Sequence, residues 1–255
     1  MLLKQDKKDL LEYRVYANRD AMGKAAGNDI ADTIMEMLKE KDEVNMIFGA
    51  APSQNETLAS LLERKEIPWN KINAFHMDEY IALDDNAPQR FGQFLKNAIF
   101  GKVPFKSVNY IDSNAADIEA ECARYTQLLT EHPVDIVLLG IGENGHIAFN
   151  DPGVADFNDP KLIKVAKLDD VCRNQQLNDG CFAKIEDVPT HALTLTIPAL
   201  TNGRALFCSV PAVTKRWAVN KTINGEITDM CPATIMRKHA RAILYCDNLS
   251  GADLL

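Results

Sequence analysis

A histidine and a carboxylate, His146 and Asp151, sit in a glycine-rich turn directly behind the apolar run 136–139. That run, with its β-branched residues, reads as a buried parallel strand. Ligands of open α/β sheets bind beyond the carboxyl ends of such strands. An imidazole that exchanges a proton near neutrality, held by a carboxylate, can serve there as general acid and base. Three further segments follow strand-like runs in the same way. Gly49, Ala50, Ala51, Pro52 and Ser53 lead from one run toward a helix. They form either an anion cradle of bare backbone N–H groups or a tight turn with Ser53 or Asn55 as helix cap. Asp78 and Glu79 follow the run 72–75. They are solvated turn residues or, enclosed beside a substrate, they give Asp78 as base for a carbon acid. Lys215 falls in the first turn of a helix, where it opposes the macrodipole unless an anion lies in front of it. An anion cradle, a lysine and two acid–base groups suit proton transfer on a phosphorylated small molecule. Ring opening and enolisation need no redox cofactor. The sequence has no metal-ligand cluster and no serine in a nucleophile elbow, so neither a metal nor a cofactor is expected.

One motif argues otherwise. Gly140-x-Gly142-x-x-Gly145 matches the dinucleotide fingerprint, and Asp169 stands where a ribose-binding acid would. The fingerprint needs a helix opening at its third glycine, to face the pyrophosphate. Here Pro152-Gly153 and then Pro160 interrupt the chain, leaving no room for a crossover helix.

The 255 residues are 46% hydrophobic and 25% charged, with a net charge of −8. These are values of a globular protein, and the absence of a basic stretch argues against nucleic acid or an anionic membrane as partner. Six scattered cysteines show neither zinc spacing nor a disulfide framework. The N-terminal residues lack an apolar signal core, and no run reaches the length of a membrane span. A cytoplasmic enzyme acting on a small molecule is the expectation, with a homo-oligomer left open.

The chain must position these groups through alternating elements. Strands are expected at 13–16, 44–48, 72–75, 108–111, 136–139, 163–165, 193–197, 205–208 and 243–246. Helices are expected at 20–40, 56–64, 91–99, 115–129, 213–223 and 233–237. The alternation predicts an α/β fold with a mostly parallel sheet, Rossmann-like in modified form, and helices on both faces. No linker or repeat divides it, so residues 1–255 form a single domain. The polar, proline-containing stretch 150–187 suits an active-site lid.

Met77-Asp78-Glu79-Tyr80, together with the continuous run from Gly140 to Gly153, resembles the glucosamine-6-phosphate deaminase (isomerase) family. Residues 49–53, the run from Val188 to Leu195 and the Lys215 helix match in family order, so the resemblance covers about 44–247. The Gly-His-Ile-Ala-Phe-Asn run separates the chain from the related 6-phosphogluconolactonases. The resemblance implies conversion of glucosamine 6-phosphate and water to fructose 6-phosphate and ammonia. It implies that His146 opens the sugar ring, that Asp78 carries a proton from C2 to C1, and that Asp151 and Asn144 occupy the family's histidine-partner positions. Gly49, Ala50, Ala51, Ser53 and Lys215 then hold the phosphate, while Glu79 is a ligand contact or a support.

Departures accompany it. The family's Thr-Gly-Gly-Thr-Pro loop is here Phe48-Gly49-Ala50-Ala51-Pro52, Asp151 is a methylene shorter than the usual glutamate, and Gln176 aligns with a substrate-binding arginine. Galactosamine 6-phosphate or another aldose phosphate therefore stays open as substrate, and lactone hydrolysis as a rival reaction. A sugar-phosphate sensor is the non-enzyme reading, but no basic helix-turn-helix pattern precedes Tyr13. The acids Asp156 and Asp159, after the Pro-Gly, speak against an allosteric phosphate site.

Overall fold

A computed structural model describes residues 1–168, 170–178 and 180–255; Asp169, the fingerprint's acid, lies outside the described residues. The strands are β1 (Leu2–Lys8), β2 (Leu11–Tyr16), β3 (Val44–Phe48), β4 (Ile72–His76), β5 (Asp78–Tyr80), β6 (Ser107–Asn109), β7 (Ile136–Leu139), β8 (Ile163–Lys167), β9 (His191–Leu195), β10 (Ala205–Val210) and β11 (Ala242–Asp247). The helices are α1 (Arg19–Met37), α2 (Asn55–Glu63), α3 (Phe91–Leu95), α4 (Ile118–Glu131), α5 (Asp170–Asn178), α6 (Ile197–Thr201) and α7 (Arg216–Asn224).

Eight strands form the main sheet in the order β1-β2-β11-β10-β7-β3-β4-β6. It is parallel throughout except at β1, which runs antiparallel to β2. Its central strands are apolar on both sides, and their period of two divides them between two cores. Ile47, Phe75, Val137, Leu139 and Cys208 face the core that includes Tyr125 and Leu129 of α4 and Val219 of α7. Met46, Phe48, Ala74, Leu138 and Phe207 face the core that includes Ile30 and Ile34 of α1 and Leu58 and Leu61 of α2. The expected helix-covered parallel sheet is what these residues build.

Three features differ from expectation. β8 and β9 do not join the main sheet but pair antiparallel with each other and with β5, in the order β5-β9-β8. Their short apolar runs are what any half-buried strand shows, so periodicity alone could not assign their partners. β1 was absent from the sequence reading because six of its seven residues are exposed. The stretch 150–187 is also more regular than expected, since it contains β8 and α5. No helix opens at Gly145; the chain turns through an Ile147–Asn150 bridge instead, so the fingerprint match lacks the element it needs.

Candidate active site

The chain leaves β3 for β4 and β6 on one side, then returns to β7, β10 and β11 on the other. The switch point falls between β3 and β7, where open α/β sheets bind ligands. A cavity of about 150 Å³ lies there, walled by the segments that follow β3, β4, β7 and β10. Gly49, Ala50, Ala51, Ser53, Asp78, His146, Gln176 and Lys215 all line it. Asn144, Asp151 and Glu79 do not; each stands behind a lining residue or points elsewhere.

The turn after β7 is built to hold one imidazole. Gly145 has φ +85°, a conformation open to glycine, and the N–H of Gly142 donates to the His146 carbonyl at 2.9 Å. A side chain on Gly142 would meet the His146 ring 2.1 Å from its Cβ, so only glycine lets the ring lie there. The turn is anchored to the second sheet: Phe149 N–H donates to Thr194 Oγ1 at 3.0 Å, and Asn150 Nδ2 donates to the Leu195 carbonyl at 2.8 Å. His146 Nδ1 is 2.8 Å from Asp151 Oδ1. Asn144 Nδ2 donates to the same oxygen at 2.9 Å, and Asn144 Oδ1 accepts from the His146 N–H at 3.0 Å. Burial pushes the Asp151 carboxyl up, but its bonds and proximity to His146, with Asn144 and Cys172, outweigh that and hold it below the usual carboxylate range.

The second titratable group sits in a different setting. β5 continues β4 across Met77, and its register against β9, Asp78 opposite Thr194, fixes its pleat. Asp78 and Glu79 therefore point to opposite faces. Asp78 lines the cavity and is 6% exposed. Burial first, and the Glu79 charge second, push its carboxyl well above the ordinary range. Glu79 turns away and caps α3, accepting from the N–H groups of Phe91 at 3.2 Å and Gly92 at 2.9 Å. Arg90 Nε lies 3.5 Å from Glu79 Oε2, and His76 Nε2 lies 3.6 Å from it. Burial, with Arg90 nearby, drives His76 down to about 3, so this histidine is neutral and makes no ion pair. Glu79 thus meets the start of α3 and does not line the cavity.

The loop 49–53 passes through a 3₁₀ turn, Pro52–Gln54, into α2. Neither turn nor helix start has a side-chain cap, so Ser53 and Asn55 are not the caps that the simpler reading required. Lys215 is 7% exposed and directly precedes α7, at the end of the 3₁₀ turn Val213–Lys215. Two lining residues beside it and the turn after β7, Ala212 and Ala148, have φ of +83° and +50°, strained for a residue with a Cβ.

Sequence reasoning missed several residues. Gln54 is buried and donates from Nε2 to the Leu139 carbonyl at 3.1 Å, tying the loop to the end of β7, while its Oε1 meets no donor among the described residues. Arg19, the first residue of α1, reaches the same wall, paired with Glu56 at 2.5 Å and donating to the Pro52 carbonyl. Phe91 and Phe149 stack at 5.6 Å and add an apolar surface. The fold also gathers three side chains of metal-ligating type that the sequence did not group: His146, Asp151 and Cys172 bring ligand atoms within 4.8 Å of one another. Cys172 lies in α5, far in sequence from the turn that holds the other two, so no metal spacing shows in the sequence.

Comparison with known proteins agrees with this geometry. Residues 17–245 match the family described as glucosamine-6-phosphate isomerases/6-phosphogluconolactonase. The chain is 35% identical over 232 residues to glucosamine-6-phosphate deaminase of Listeria welshimeri, covering 91% of this chain and 97% of that one. It is 32% identical over 218 residues to the Streptococcus sanguinis enzyme of the same name, covering 84% and 89%. A solved monomeric glucosamine-6-phosphate deaminase superposes with a TM-score of 0.83 at 28% identity, covering 96% of this chain and 99% of that one. A 6-phosphogluconolactonase from Thermotoga maritima, at 20% identity and a TM-score of 0.69, covering 93% and 99%, shares the fold. The chain belongs to the glucosamine-6-phosphate isomerase/6-phosphogluconolactonase family.

Proposed function

We propose that the protein is an amino-sugar-phosphate isomerase and deaminase, converting glucosamine 6-phosphate and water to fructose 6-phosphate and ammonia. What carries the reading is that Asp78 and His146 line one cavity with the 49–53 loop and Lys215. The phosphate rests on the loop's N–H groups and the Lys215 ammonium. His146, oriented by Asp151 and Asn144, moves the proton between O1 and O5 as the ring opens. Asp78 takes the C2 proton and returns it to C1 through an enolamine. Water then adds at the C2 imine and ammonia leaves. A carboxylate freed from hydration by burial is the stronger base, which suits Asp78 to a carbon acid. The stretch 150–187 acts as a lid through Gln175, Gln176 and Cys181, which line the cavity. A cytoplasmic setting belongs to the same reading, because a charged sugar phosphate is retained by membranes.

Gln176 favours keeping galactosamine 6-phosphate as a second reading. A neutral amide in this wall selects by a hydroxyl rather than by charge. The test is ammonia release from glucosamine and galactosamine 6-phosphates, run beside 6-phosphogluconolactone hydrolysis. Ammonia from the glucosamine compound at the higher kcat/KM is expected; lactone hydrolysis alone would overturn the assignment.

A further inference from the structure

We propose that His146, Asp151 and Cys172 form a buried site for a soft divalent metal ion of the Zn²⁺ or Cd²⁺ class, and that its occupancy shuts off the His146 imidazole. The three residues come from the turn after β7 and from α5, and all are buried. Their ligand atoms, an imidazole nitrogen, a carboxylate oxygen and a sulfur, lie within 4.8 Å of one another. The Asp151 carboxylate already meets both other ligand groups, since the His146 ring and the Cys172 thiol each lower its pKa by hydrogen bonding to it. Bonds of about 2.0–2.3 Å to nitrogen, oxygen and sulfur place the ligands of a tetrahedral ion roughly 3.3–3.6 Å apart. The 2.8 Å between His146 Nδ1 and Asp151 Oδ1 must open by roughly 0.5–0.8 Å, and any pair as far apart as 4.8 Å must close by roughly 1.2–1.5 Å, to meet that geometry. A thiolate and an imidazole select zinc-like ions over magnesium or calcium.

The exchange of protons is defined. The ion replaces the Cys172 thiol proton, and the proton on His146 Nδ1 moves to Nε2, because cysteine binds metals as thiolate and histidine as the neutral imidazole; one proton leaves and affinity rises with pH. The metal takes over the Nδ1 position through which Asp151 orients the ring. Nε2 then cannot gain and lose a proton freely, and α5 becomes stapled to the turn beneath it. The inhibition rests on the role given to His146 above; the binding does not.

The full-length, reduced and chelator-treated protein is titrated with Cd²⁺, then with Zn²⁺ as competitor. One equivalent of Cd²⁺ should give the ultraviolet thiolate-to-cadmium charge-transfer band, which Zn²⁺ removes, and Zn²⁺ should inhibit ammonia release. Cys172→Ala should lose the band and need more than about tenfold higher Zn²⁺ for half-inhibition, since even outer partners of a metal site are worth about 10–100-fold in affinity. Cys122→Ala and Cys181→Ala should keep the band. Cys172→Ser, with circular dichroism as the check of folding, substitutes if the alanine variant does not fold. Absence of the band in the parent protein, its survival without Cys172, or its loss with Cys181 alone overturns the site. A band with no ammonia release from any amino-sugar phosphate would leave the metal site standing and sink the deaminase reading instead.

Discussion

Asp78 and Asp151 are the same residue in nearly the same burial, 6% and 0% exposed, and they serve one cavity, yet their surroundings push them apart. Asp151 receives donors: the His146 ring and the Asn144 amide outweigh its desolvation. Asp78 receives none that offsets burial and has Glu79 next to it. Burial alone therefore does not decide what a carboxylate does; the donors that compensate for it do. Environments that separate two titratable groups can separate their roles, which on the proposed reading are an ionised orienter and a base with high proton affinity.

The largest expected effect is on turnover. Asp78→Asn should lower kcat by about 10²–10⁴-fold, the range of a lost general base, while calorimetry still detects sugar-phosphate binding. Stability should move the other way. A carboxyl raised in the folded state contributes stability that is present below its unfolded pKa and lost as pH climbs through its folded value. At about pH 8 the native Asp78 is a burden, so Asp78→Asn should raise Tm there and not at about pH 4. A variant that loses both activity and alkaline stability would mean that Asp78 is structural.

Asp151→Asn provides the opposite limb. Its folded pKa is depressed, so its contribution is present above the unfolded value and lost as pH falls through the folded one. The variant should lose about 1.5–3 kcal/mol near neutrality, the worth of a hydrogen bond to a charged group, with the deficit shrinking in acid. Partners that orient a histidine are worth about 10–100-fold in metal sites, and a similar loss of kcat is expected here. Denaturant unfolding at two pH values, beside steady-state kinetics, checks both. An equal deficit at acid and neutral pH would show that the Asp151 charge is not what stabilises the fold.

The sequence exposed this contrast unevenly. His146 and Asp78 were visible because each follows an apolar run, and the carboxyl ends of parallel strands are where chemistry collects. The sheet was visible for the same reason, since 136–139 and 72–75 are apolar on both faces. What separates the carboxylates was not visible. Glu79 looks identical to Asp78 in a Met-Asp-Glu-Tyr string, and only the β5–β9 register turns one into the cavity and the other onto the start of α3. Arg19, Gln54 and Cys172 carried no site assignment in the sequence. Each gains its position from an element distant in sequence, Gln54 from the end of β7 and Cys172 from the turn holding Asp151. Long-range packing creates those partners, and local periodicity carries no trace of it.

Gln176→Arg sharpens the comparison from the ligand's side. Gln176 lines the cavity and is 7% exposed. A guanidinium there replaces a neutral hydrogen bond, worth about 1 kcal/mol, by a charge-assisted one of about 1.5–3 kcal/mol. KM for glucosamine 6-phosphate should fall by up to about tenfold, at 1.4 kcal/mol per decade. The new cation should also lower the Asp78 pKa more than that of Asp151, whose charge is already compensated. Unchanged KM for both hexosamine phosphates would mean that Gln176 does not meet the substrate.

The smallest effect should come from Glu79→Gln. As base, Asp78 must be ionised, so kcat/KM climbs with pH along a limb lying above the ordinary carboxylate range. Glu79 contributes to that displacement as the like charge beside Asp78. Removing its charge lowers the pKa of Asp78, moves the limb to lower pH and raises activity on the acid side. The alkaline plateau should drop only slightly, because a weaker base is also less reactive. Some stability goes with it. Glu79 accepts from three backbone N–H groups, Tyr80, Phe91 and Gly92, and the amide's NH₂ end can serve none of them. One unmet buried donor costs about 1–3 kcal/mol. A limb that stays in place while stability falls would leave Glu79 as the cap of α3 and nothing more, and burial alone would then account for the difference between the two aspartates.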